Sequence, residues 1–104
     1  MYMILQLNKE KYLDDVLMAL AEAGIDETVV LNGESLDHKI AFDMPLFAGF
    51  RNSLASGKGY MNIIMAIAEQ ENIDFMLEEL KNAGVNFIDD EIGKIILLPI
   101  EKIY

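Results

Sequence analysis

The stretches "YLDDVLMALAEAGI" (Tyr12–Ile25) and "NIDFMLEELKNAGV" (Asn72–Val85) are one pattern written twice, about 60 residues apart. Asp14 falls on Asp74, Leu17 on Leu77, Leu20 on Leu80, and Ala23–Gly24 on Ala83–Gly84. Leu13, Val16, Leu17 and Leu20 recur at three and four residues, which puts them on one stripe of a helix. Ile73, Met76, Leu77 and Leu80 repeat that stripe. Gly24 and Gly84 stand where each helix should stop, since glycine takes the left-handed backbone of a helix end without a steric penalty.

Outward from the helices, the preceding runs also align: "MILQL" (Met3–Leu7) lies over "IIMAI" (Ile63–Ile67) without a gap. Both are apolar and of strand length. A second strand follows each helix, "ETVVL" (Glu27–Leu31) and "KIILLPI" (Lys94–Ile100). The order β-α-β-β-α-β predicts an α+β, ferredoxin-like fold: a four-stranded antiparallel sheet with both helices on one face and right-handed crossovers. The chain is then a single domain over residues 1–104. No helix remains for the sheet's other face, so apolar strands there predict an oligomer.

Composition points the same way. The chain has 104 residues and is 53% hydrophobic, a high share for a length that hides only about two thirds of its surface when folded alone. Its net charge is −10, from 18 acidic and 8 basic residues. Such a balance repels phosphate backbones and anionic membrane surfaces, which argues against nucleic-acid and membrane partners. With no cysteine, disulfides, thiolate metal sites and cysteine nucleophiles are excluded. The start "MYMILQLNKEK" lacks the basic-then-apolar order of a secretory signal, and "IILLPI" is too short to span a bilayer; the expected location is cytoplasmic.

The connection between the second and third strands, Gly33 to Tyr60, is far longer than a hairpin needs. It holds Phe42, Phe47 and Phe50, three of the five phenylalanines, so a purely disordered segment is not expected. "GESLDHK" reads as a polar turn. "MPLFAGFRNSLAS" reads as a short amphipathic helix, with Pro45 in its first turn, Asp43 or Met44 near its cap, and Leu46, Phe50 and Leu54 repeating at four. Its apolar face is expected to pack on its own subunit, on a neighbour, or on both.

These residues carry a resemblance. "KYLDDVLMALAEAGI" resembles the first helix of the PII nitrogen-regulatory proteins, and Gly93–Lys94 with "IILLPIEKI" resembles their Gly-Lys-Ile-Phe-Val stretch. The long connection matches the position of their T-loop. "DMPLFAGFR" is more similar to a PII-like subgroup with a Pro-aliphatic-Phe-Ala/Gly-Gly-aliphatic-Arg segment there. The resemblance implies a homotrimer with ligand clefts between subunits and a loop that signals their occupancy to a protein partner. It places Gly33, Glu34, Gly93 and Lys94 at the cleft, with Lys94 matching a lysine that contacts nucleotide phosphates. It places His38, Lys39, Phe42, Phe47, Phe50 and Arg51 in the signalling loop. The modified loop tyrosine, the loop glutamine and the C-terminal arginines of true PII proteins have no counterpart here. Lys94 follows acidic "NFIDDEIGK" instead of a glycine-rich turn, so PII-type ATP binding is expected to be lost or much weakened; the ligand, and any cofactor, stays unassigned.

Other groupings are weaker. His38, the only histidine, has Glu34, Asp37 and Asp43 near it in sequence, which suits a metal site or a solvated loop, the latter being favoured. No metal ligand is assigned. Asp89–Glu91 reads as a solvated acidic turn, and Asp14–Asp15 as helix-dipole acids. Arg51, the only arginine, suits an intersubunit ion pair or an anionic ligand. No nucleophile elbow, GxGxxG or P-loop is present, so no enzyme is expected. Two alternatives share the strand and helix order: a CutA-like divalent-metal-binding trimer using His38 and acids, and an ACT-like amino-acid-sensing domain, whose usual glycine at the first strand–helix junction is missing from "LNKEKY".

Overall fold

A computed structural model of the chain describes residues 1–43 and 59–104. Strand β1 (Tyr2–Leu7) leads through a 3-10 turn (Glu10–Tyr12) into α1 (Leu13–Glu22) and β2 (Val29–Glu34). Helix α2 (Leu36–Asp43) follows, then β3 (Tyr60–Ile67), α3 (Gln70–Asn82) and β4 (Gly93–Leu98). The strands form one antiparallel sheet in the order β2-β3-β1-β4. This is the α+β, ferredoxin-like arrangement that the repeat predicts.

Strand pairing follows the repeat. Ile4 lies opposite Met65 and Leu5 opposite Ile64, two pairs that the repeat exchanges for one another. The halves are thus related by an approximate twofold between β1 and β3. Every ladder in the sheet joins one half to the other, because β1 and β2 are not neighbours, nor are β3 and β4.

Alternation sorts the two faces. Met3, Leu5 and Leu7 of β1 and Ile64 and Ala66 of β3 are buried under α1 and α3. The helices contribute Val16, Ala19 and Leu20, and Ile73, Met76 and Leu80. Each such large side chain taken fully out of water stabilises by about 1.5–3 kcal/mol. Both helices end in the same way. Gly24 has φ +74° and Gly84 φ +83°. The N–H of Ile25 donates to Leu20 O (3.0 Å) and that of Val85 to Leu80 O (2.8 Å), while Gly24 and Gly84 donate to Ala21 and Lys81. These are Schellman ends, and the residue after each glycine, Ile25 or Val85, is buried in the core. At the start of α3, Asn72 Oδ1 accepts from the Glu69 N–H (3.1 Å), and its Nδ2 donates to Ala23 O (3.1 Å), tying one helix start to the other helix end.

One element differs from expectation. "GESLDHK" is not a turn: Gly33 and Glu34 extend β2, and Leu36 onward is helical. Ser35 starts this helix, its Oγ accepting from the His38 N–H (3.2 Å) and its carbonyl from the Lys39 N–H (3.0 Å).

Alanine at Gly24 or Gly84 meets no atom within 4 Å, so it costs only left-handed strain. Each variant should lose about 1 kcal/mol in urea unfolding, and the two losses should match. Across the α1–α3 seam, the hydrogen bond with Glu22 above all, together with the charge of Glu78, raises the Glu79 carboxyl above its ordinary value. A folded-state pKa raised in this way adds stability at acidic pH that fades as pH rises through it. Glu79→Gln keeps a donor for Glu22 at every pH, so it should raise Tm at neutral pH and lose that advantage as pH falls through the raised folded-state value.

Candidate functional site

The residues singled out for the cleft lie on opposite edges of the sheet. Gly33 and Glu34 close β2, whereas Gly93 and Lys94 open β4. Strands β3 and β1 stand between them, a separation of roughly 14 Å from strand spacing alone. A single chain does not bring the two pairs together. Lys94 pairs with Gln6 on the helix-free face and is exposed.

The two glycines differ in what they do for the fold. A Cβ on Gly93 would collide with the Gln6 carbonyl oxygen and sit 2.9 Å from Phe87 Cζ. Close passage of β4 over β1 therefore requires glycine there, whatever it also contacts. A Cβ on Gly33 would meet only Met61 Cγ at 3.3 Å and Ile63 Cγ1 at 3.4 Å, both on flexible side chains.

At the root of the long connection, the Ser35 N–H donates to Gly59 O (2.8 Å), extending the β2–β3 ladder by one step. His38 is not the solvated loop residue its sequence context suggests; it is 8% exposed. Its Nδ1 lies 3.0 Å from Glu34 Oε2, and its ring centroid is 4.5 Å from that of Tyr60. The ring fills the space that a Cβ on Gly59 would occupy. Glu34, the last residue of β2, and the Tyr60 ring flank His38 on α2, and a hydrogen-bond partner for the ring makes its burial tolerable. Lys39 is exposed, with Nζ 4.0 Å from Glu34 Oε1. Phe42 lies on α2, and its side chain falls outside what is described. Phe47, Phe50, Arg51 and the helix expected from Pro45 lie outside the described residues.

Asp89, Asp90 and Glu91 form an exposed turn, as expected, and Lys9 Nζ donates to Asp90 O (3.2 Å). Among the described residues, no three His, Asp or Glu side chains gather as metal ligands would.

Sequence reasoning passed over a second grouping. Strand β3 runs on past the end of β1, whose last pair is Leu7 with Asn62. Tyr60 and Met61 therefore pair only with β2. The gap left on the other side is a cavity of about 350 Å³ lined by Glu10, Asn32, Gly33, Tyr60, Met61 and Asn62. Asn62 is 5% exposed, and its Nδ2 donates to Asn32 Oδ1 (3.1 Å). The available signal was an amide at an inward position of the otherwise apolar "YMNIIMAI".

Gly93→Ala should lower stability by about 1–3 kcal/mol or more, as overpacking against backbone does. Gly33→Ala should stay within about 0.5 kcal/mol of the parent, both read by urea denaturation.

Set beside known proteins, the chain matches no family model, and no curated protein matches it.

Proposed function

We infer that the chain is a PII-like regulatory module: a homotrimer that takes a small metabolite at clefts between subunits and signals through residues 33–60. One observation carries this reading. The sheet face away from α1 and α3 is apolar and has no cover from the described residues. Val29 is 48% exposed, Leu31 47%, Ile67 47%, Ile96 38% and Leu98 45%, with Tyr2, Ile4, Ile63 and Met65 between them. Their register places them on one face. A continuous apolar face of this kind marks an interface, and sister copies are its simplest cover.

The split candidate site supports the same reading. Gly33 with Glu34 and Gly93 with Lys94 occupy the two edges of one sheet, so a neighbouring subunit is what would complete a cleft from both. No described helix is long and apolar enough to cross a membrane. The role proposed is regulatory, not catalytic, and the working location is the cytoplasm.

Sedimentation velocity tests the assembly. The parent should run as a trimer at micromolar concentration, and Ile96→Asp should shift it toward monomer. A well-behaved monomeric parent would sink the reading. A thermal-shift screen with nucleotides, 2-oxoglutarate, amino acids and bicarbonate tests the sensing. A ligand at a hundred times its Kd should stabilise by about 2.7 kcal/mol.

A further inference from the structure

We propose that the two edges of the sheet are the two halves of one joint: β2 of one copy adds to β4 of the next copy as a further antiparallel strand, with Leu31 opposite Ile96. This deepens the proposed function and rests on it, since it names the contact through which sister copies assemble.

Three observations lead to this joint. The first is that neither edge is guarded. Strands β2 and β4 are the outer strands, six residues each, and among the described residues nothing pairs with their outer sides. Sheet edges are usually blunted by charge, proline or a bulge. Here "VVLNGE" carries one charge, Glu34 at its end, which His38 and Lys39 engage, and "GKIILL" carries one, Lys94 at its start. The second is exposure. Val29 and Leu31 lie on the bare face and Val30 on the helix side, and all three are exposed. Helices α1 and α3 thus leave β2 uncovered on both faces, and a neighbouring strand is the cover it lacks.

The third is direction and phase. Strand directions alternate across the sheet, so β4 runs opposite to β2, and the next copy laid alongside makes an antiparallel pair. The Ser35 N–H reaches Gly59 O, so Gly33, Leu31 and Val29 also turn their backbone groups toward β3, and Val30, Asn32 and Glu34 turn theirs outward. The Asn8 N–H reaches Ile92 O, which by the same alternation leaves Gly93, Ile95 and Leu97 outward on β4. With Leu31 opposite Ile96, Val30 meets Leu97, Asn32 meets Ile95 and Glu34 meets Gly93, each pair set to exchange hydrogen bonds. The same register puts Val29 and Leu31 beside Leu98 and Ile96, so the bare apolar faces run on across the joint. It also sets Gly33 beside Lys94, which the single chain holds on opposite edges. A slip of two residues would leave strand ends unpaired and set Lys94 against Leu31 or Glu34 against Ile95. Each copy offers one edge of each kind, so the contact is head-to-tail and a ring of copies closes with no edge left over.

Cysteine cross-linking tests the joint directly, since the chain has no cysteine. Leu31 and Ile96 are exposed, and within one chain they stand roughly 14 Å apart, too far for a disulfide. Across the joint they form the closely spaced kind of antiparallel pair that a disulfide suits. The double variant Leu31→Cys with Ile96→Cys, oxidised at micromolar concentration, should run on a non-reducing gel as covalent dimer and trimer, and reductant should return it to single chains. Val29→Cys with Leu98→Cys, the next pair along, should do the same. Each single variant should stay uncross-linked, and Leu31→Cys with Leu97→Cys, on opposite faces of the sheet, should cross-link far less. Sedimentation of the parent is read alongside. A trimeric parent for which neither predicted pair cross-links, or for which a single variant or the opposite-face pair cross-links as readily, overturns the joint and leaves the trimeric reading standing. A monomeric parent overturns both.

Discussion

Two helices can cover one face of a four-stranded sheet, and this chain has made both faces apolar. The first face is closed by α1 and α3 over Met3, Leu5, Leu7, Ile64 and Ala66. The second carries Ile4, Ile63, Met65, Ile67, Ile96 and Leu98 with nothing from the described chain against them. Layered proteins bury every apolar face against something. The net charge of −10 favours solubility, but it does nothing to cover this face. The proposed assembly, and the regulatory role proposed with it, rest on this imbalance.

Most of the fold could be read from the chain because the signals were local and doubled. Leu13, Val16, Leu17 and Leu20 mark a helix face by spacing alone, and Gly24 closes it; the second copy at Ile73 to Gly84 makes coincidence untenable. Helix α2 was not legible. "LDHKIAFD" has a weak apolar stripe, and its start depends on the Ser35 cap and the Ser35–Gly59 bond. The second of these joins residues far apart in sequence, which no window of residues can display.

The site was legible only in fragments. Gly93 stands out in the sequence as half of a Gly-Lys pair, yet its first demand is steric: β4 must pass the Gln6 carbonyl. His38 reads from its sequence context as a solvated loop residue, because Glu34, Tyr60 and Gly59 surround it only after the strands pair. Asn62 is not legible in the sequence, since one amide in an apolar strand has no periodicity to mark it. What escapes sequence reasoning here is what long-range pairing creates.

The interleaving of the halves has a consequence for how the molecule comes into being. A ribosome that has released β1, α1 and β2 has made two strands that are not each other's neighbours. They wait, unpaired, until β3 emerges to separate them and β4 to flank β1. Val29, Val30 and Leu31 remain exposed even in the folded chain. During synthesis the nascent chain therefore exposes strand edges and apolar surface until β3, which ends at Ile67, has been made, a state suited to chaperone capture.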